Sequence, residues 1–127
     1  MLVRNLLYIA CGGAIGAVSR FSIGLFMTSV YGPSFPFGTL VVNVLGSFLM
    51  GCCAAYFSFV HGTTHPLALF IMIGFLGAFT TFSSFSLETL NLILNAQPLV
   101  ALSNVIINVV VCIIAVTAGM FLVKYFY

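Results

Sequence analysis

Acidic side chains are almost absent from this chain. Glu88 is the only one among 127 residues, set against Arg4, Arg20 and Lys124, which leaves a formal charge of +2 and only 3% charged residues. A soluble domain carries about 25%, so a soluble globular protein is excluded. Three cations are too few to hold a nucleic acid or another polyanionic partner. A lone carboxylate rules out paired acid–base chemistry, and no Ser/His/Asp set or phosphate loop is present, so the chain does not read as an enzyme. Cys11, Cys52, Cys53 and Cys112 form no CxxC pair and sit in apolar surroundings. They read as small buried side chains rather than disulfides or metal ligands. His61 and His65 have the spacing of a zinc pair, but Gly62 and Pro66 place them in a turn and no third ligand is near. Loop histidines facing solvent are the expected reading.

What fills the chain instead is hydrocarbon. Hydrophobic residues make up 63% of it and the mean hydropathy is +1.33. Residues 1–127 read as one all-α membrane domain with four apolar stretches. These run from Leu2 to Met27, Phe37 to Val60, Leu67 to Leu94 and Leu99 to Phe126, separated by turns rich in Gly, Pro and Asn. Each meets the roughly 20 residues needed to cross about 30 Å of lipid. The start, Met1-Leu-Val-Arg4 followed by an apolar run, resembles a signal peptide but lacks a small-x-small cleavage site. It reads as a first membrane span. With four spans, Arg4 and Lys124 share one side, and Arg20 lies near the far end of the first span. Two against one is a weak orientation bias under the positive-inside rule, so a chain of this kind can insert both ways. Four short helices also enclose little volume, which predicts an oligomer.

Polar and small residues recur every four positions on three spans. On the first, Gly12, Gly16, Arg20 and Gly24 share a face, the glycines suited to close helix approach. Arg20 within a span requires a partner, carbonyls or water, and structural and functional roles are both open to it. On the second, Thr39, Asn43, Ser47 and Gly51 form a narrow stripe. The Asn43 amide can donate two hydrogen bonds to an anion or serve as interhelical glue. The fourth repeats the pattern more weakly with Asn104, Asn108 and Cys112.

The third span departs furthest from a plain membrane helix, in Gly74-Phe-Leu-Gly-Ala-Phe-Thr-Thr-Phe-Ser-Ser-Phe-Ser86. In a continuous helix Phe75, Phe79, Phe82 and Phe85 would make one aromatic stripe. Glycines and a run of hydroxyl residues are poor material for an uninterrupted helix, so the span is expected to break near its middle, between Gly77 and Thr81. Carbonyls freed at membrane depth are ligands for a small cation. The positive edges of Phe82 and Phe85 suit an anion, with the hydroxyls of Ser83, Ser84 and Ser86 as added donors. The residues alone point to an ion site and leave the sign of the permeant ion open.

Three motifs, in order and on the right spans, resemble the Fluc (CrcB) fluoride channels over the whole chain. They are Gly12-Gly-Ala-Ile-Gly-Ala-Val-Ser-Arg20, Gly38-Thr-Leu-Val-Val-Asn43 and Gly74-x-x-Gly77-x-x-Thr80-Thr-Phe-Ser-Ser-Phe-Ser86-x-Glu88. The resemblance implies an antiparallel, dual-topology homodimer in the cytoplasmic (inner) membrane that conducts fluoride passively and lowers its intracellular level. It implies a structural sodium ion at the dimer interface, held by the backbone carbonyls of Gly77 and Thr80. It also implies an anion pathway through Asn43, Phe82 and Phe85, with Thr39, Ser83 and Ser84 on a polar track and Glu88 near one end. Arg20, Gly12 and Gly16 take structural roles. Two positions depart from the family pattern, Cys112 and Val116, where many relatives carry small hydroxyl residues; Thr117 replaces the latter only if the register slips. The alternative is a small multidrug-resistance-type transporter, also four-span and dual-topology, but that reading looks for an acidic residue in the first span, and this chain has none. A purely structural membrane subunit would leave the third-span motif unexplained.

Overall fold

The computed structural model describes residues 1–60 and 65–127. His61, the first of the two loop histidines, therefore lies outside the described residues. The described residues form helices and turns, with no strand among them. Four helical spans are long and apolar enough to cross a membrane: Leu2–Tyr31, Phe37–Val60, Pro66–Leu94 and Pro98–Phe126. At about 1.5 Å per residue the shortest reaches roughly 36 Å, more than the hydrocarbon thickness. Large apolar side chains such as Phe21, Leu25, Ile73, Ile113 and Phe121 are exposed on the helix surfaces. That is the face a helix set presents to lipid rather than to water.

The ends of the spans follow from local chemistry. The first helix runs past Met27 to Tyr31 and stops at Gly32, whose φ of 73° lies in the left-handed region and whose N–H donates to the Thr28 carbonyl at 2.9 Å. Only glycine takes that conformation without strain. The second helix occupies Phe37–Val60, as expected. At the third, the His65 ring Nδ1 accepts from the Leu67 N–H and Pro66 fills the first turn, a side-chain cap followed by a residue that needs no N–H partner. The third span closes in a Schellman turn, with Ala96 N–H donating to Ile93 and Gln97 N–H to Leu92. Ala96 carries the positive φ there, 56°.

Glycines decide which helices touch. A Cβ on Gly12 would collide with the Phe70 carbonyl and one on Gly16 with that of Phe75, while a Cβ on Gly74 would sit 2.7 Å from the Ile9 carbonyl. The first and third spans thus meet backbone to backbone. The second and fourth spans form a second extensive pairing, and there a Cβ on Gly51 would strike the Val116 carbonyl and one on Gly119 that of Phe48. Small residues at crossings let bare backbones exchange dispersion contacts in a solvent that offers no hydrophobic drive.

The third span is interrupted, though its axis bends only mildly. Leu69–Leu76 is a π-helix, a wide form often found near functional positions. Gly77–Phe79 returns to α geometry. Thr80 and Thr81 are extended, with φ/ψ of −82°/157° and −152°/123°, and Phe82–Leu94 resumes the helix. The expected unwinding from Gly77 is therefore narrower than the sequence suggests. Gly77 keeps φ/ψ of −62°/−33°, its N–H shared between the Gly74 and Met72 carbonyls. The interruption also divides the predicted aromatic stripe into two pairs, Phe75–Phe79 at 5.5 Å and Phe82–Phe85 at 5.4 Å between ring centroids.

Candidate functional site

Two extended residues at membrane depth leave backbone groups that must find partners elsewhere. Asn43 of the second span supplies them. Its Oδ1 accepts from the Thr81 N–H at 2.8 Å and its Nδ2 donates to the Thr81 carbonyl at 3.1 Å. In an unbroken helix that Thr81 N–H would go to the carbonyl of Gly77. The side chain of Asn43 thus replaces a helical bond, and the Gly77 carbonyl loses its regular donor. Gly46, one turn further along the second span, leaves room for the Thr80 side chain, which a Cβ there would strike. The Thr80 hydroxyl turns back to the Leu76 carbonyl at 2.9 Å. On the other side of the break, Thr81 caps the resumed helix, its Oγ1 accepting from the Ser84 N–H at 3.2 Å. That hydroxyl also donates to Ser84 Oγ at 3.1 Å and lies 3.3 Å from Ser83 Oγ.

Asn43 has a second protein partner. Its Nδ2 also donates to Asn108 Oδ1 at 3.2 Å. Asn108 in turn donates to Asn104 Oδ1 at 2.9 Å and to the Asn104 carbonyl at 3.2 Å. Asn104, with no exposed surface, donates to Thr89 Oγ1 at 2.9 Å, and the Thr89 hydroxyl donates to the Phe85 carbonyl at 2.7 Å. The sequence shows Asn104 and Asn108 as an i, i+4 stripe, but nothing in it marks Thr89 or ties the stripe to Asn43.

Two clefts flank the break, and Thr81 lines both. One, of about 430 Å³, is walled by residues that include Asn43, Thr80, Phe82, Phe85, Cys112 and Val116, with Asn108 beside them. The other, of about 420 Å³, is walled by Arg20, Thr39, Ser84 and Glu88. The residues expected along one track are thereby divided between two openings within a single chain. Phe82 is 77% exposed whereas Phe85 is buried, so the two rings present themselves differently to the first cleft. Ser83 is exposed and stands with Thr81. Cys112 and Val116 do face the first cleft, while Thr117 is exposed and its hydroxyl donates to the Ile113 carbonyl at 2.7 Å. Thr117 therefore does not take the place of Val116.

In the second cleft the Thr39 hydroxyl donates to Glu88 Oε1 at 2.7 Å. The other carboxylate oxygen, Oε2, is buried and has no hydrogen-bond partner among the described residues. Arg20 lines the same space, so the chain's one acidic residue shares a cleft with the cation that lies furthest from the ends of its span. Gly12 and Gly16 are not in either cleft; they form the crossing with the third span.

Comparison with known proteins places this arrangement. A family described as "CrcB-like protein, Camphor Resistance (CrcB)" matches residues 7–120. The protein of Hahella chejuensis named fluoride-specific ion channel FluC is 47% identical over 125 residues, 98% of either chain. Its namesake in Shewanella amazonensis is 50% identical over 117 residues, 92% of this chain and 94% of that one. One from Shewanella baltica is 52% identical over 121 residues, 95% and 97% of the two chains. With the match running from the first span into the last, this chain belongs to the CrcB family.

Proposed function

We propose that the protein is a fluoride channel of the inner membrane, passing fluoride down its gradient and so lowering the intracellular level. The observation that carries this reading is an identity of 47%, 50% and 52% over nearly the full length to three proteins named fluoride-specific ion channels, joined to a structure with four spans and a break whose open backbone is met by a neutral amide. Fluoride is small and strongly hydrated, so a path must replace its water with several donors at once and still release it. In the first cleft, amides, hydroxyls and ring edges meet that requirement with no fixed cation among the lining residues to trap the ion. In this reading Asn43, Phe82 and Phe85 form one part of the pathway and Thr39, Ser84 and Glu88 another, with Thr81 between them and Ser83 beside it. Asn43 donates to a passing anion by releasing one of its two present acceptors, the Thr81 carbonyl or Asn108 Oδ1.

The functional unit in this proposal is an antiparallel pair of chains. Exposed apolar surface around the first cleft and the sparse charge bias support it. A sodium ion between the two copies fits the donor set. The Gly77 carbonyl lacks its helical donor, and the extended backbone of Thr80 turns its carbonyl off the helix axis. Neutral carbonyl oxygens freed in this way suit a hard monovalent cation. When bound, the ion supplies charge that holds the two broken spans together.

The deciding experiment is fluoride efflux from liposomes containing the purified protein, followed with an electrode and with chloride as control. Fluoride leaving far faster than chloride is the expected result; equal rates, or no flux, would overturn the channel reading. Asn43→Asp and Phe82→Ile are each expected to suppress the flux in a protein that still folds, and unchanged flux in both would reject the pathway assignment.

A further inference from the structure

The hydrogen bonds that begin at Thr81 form one directed chain. Thr81 N–H donates to Asn43, Asn43 to Asn108, Asn108 to Asn104, Asn104 to Thr89, and Thr89 to the Phe85 carbonyl. Both ends lie on the third span, and neither can reverse. A backbone N–H only donates and a carbonyl only accepts. An asparagine amide looks the same when its oxygen and nitrogen exchange places, so its orientation is set by its neighbours. Here each amide has its carbonyl toward the Thr81 end and its NH2 toward the Phe85 end. Turning over Asn43 or Asn108 would set donor against donor on one side and acceptor against acceptor on the other, and turning over Asn104 would set donor against donor at Asn108 and draw the Thr89 hydroxyl away from the Phe85 carbonyl. Asn104 and Asn108 are 0% and 5% exposed, which leaves no water to repair such a mismatch, and an unpaired buried donor is costly.

The geometry points to Asn108, Asn104 and Thr89 as positioning residues for the break in the third span. They fix the orientation of the Asn43 amide, and through it the backbone of Thr81, from a hydroxyl two helical turns beyond the interruption. Phe85, whose carbonyl ends the chain, and Thr81, whose N–H begins it, are both at the first cleft. The link to transport rests on the channel reading above; the positioning itself does not. Thr89 is the informative link because it touches neither cleft. Replacing it with Val keeps its shape and removes both the acceptor that Asn104 needs and the donor that Phe85 receives.

The test uses the full-length protein. Thr89→Val and Asn104→Leu are expected to slow fluoride efflux per reconstituted protein about tenfold, which is ~1.4 kcal/mol on the barrier. Thr89→Ser, which restores the hydroxyl, should recover most of the rate. Thr117→Val removes a similar hydroxyl from the exposed face of the fourth span and should match the parent protein. In parallel, the 15N–1H resonance of the Thr81 amide is recorded in each variant. It should move in Thr89→Val and Asn104→Leu and stay in place in Thr117→Val. Wild-type conduction with undiminished flux in both chain variants would overturn the inference, and so would a Thr81 resonance that none of them shifts. If the parent protein passes no fluoride, the channel reading fails, and the Thr81 resonance alone then upholds or rejects the positioning role.

Discussion

Thr39 and Glu88 show how much one hydroxyl can carry in a nearly chargeless interior. The Thr39 hydroxyl is the only hydrogen bond to the Glu88 carboxyl among the described residues, and Oε2 is already without a partner. Thr39→Val would leave both oxygens unpaired. The expected cost is about 1–3 kcal/mol, the usual range for a buried polar group that loses its partner. A thermal melt in detergent checks it: Thr39→Val should melt below the parent and Thr39→Ser close to it. Asn43 carries more, since its three hydrogen bonds hold two backbone groups and a second amide. An aspartate there would keep the contact to the Thr81 N–H and turn oxygen against both the Thr81 carbonyl and Asn108 Oδ1. That is why Asn43→Asp is expected to affect transport more than its size suggests.

At the scale of the helix, the Schellman turn after the third span offers a gain rather than a loss. Ala96 holds a left-handed φ of 56°, which costs an L-residue about 1–2 kcal/mol relative to glycine. Ala96→Gly is therefore expected to raise the stability by up to about 1 kcal/mol, after allowing for the entropy glycine loses on folding, and to leave transport unaltered. An unchanged or lowered melting temperature would contradict this. The spans themselves were legible in the sequence. Apolar length and proline-bearing turns located all four, and Phe37–Val60 coincides at both ends. The break was legible as an event but not in its position. Glycine at 77 looked like the weak point because its helix propensity is poor, yet that penalty is only about 1 kcal/mol, and Gly77 keeps helical dihedrals with its N–H bonded. What settles the position is Asn43, 38 residues earlier, and single-helix propensities contain no such term. The same holds for Thr89, whose donor Asn104 lies on another span. Asn104 and Asn108 were visible because i and i+4 fall on one helix face.

For the molecule as a whole, the apolar exterior and the near-absence of charge leave orientation to very few residues. Arg4 and Lys124 lie together at one end, and both are exposed. A proposed pair of opposed chains can be tested through this balance. Adding lysines next to the Asn95–Pro98 turn should bias one form of the protein, and adding them near Lys124 should bias another. Each biased form alone is expected to lose fluoride flux, and co-expression of the two to restore it. Full flux from either form alone would exclude an antiparallel pair. Packing at this scale depends on bare backbone at the helix crossings. Gly16→Val, which would drive a side chain into the Phe75 carbonyl, should separate the first and third spans and reduce the yield of folded protein, as seen by monodispersity on gel filtration.

The amide of Asn43 has one more consequence, for how the chain is made. A helix normally satisfies its own backbone and can enter lipid unaided. The third span does not, because the Thr81 N–H and carbonyl are completed by a residue from the second. The order of synthesis suits this need: by the time Thr81 leaves the ribosome, Asn43 has already been made. Asn108 and Asn104 come last, so the final orientation of the amides is set only as the fourth span arrives. Insertion of the third span is thus expected to depend on a neighbour made earlier, without which Thr81 would meet the lipid with open backbone.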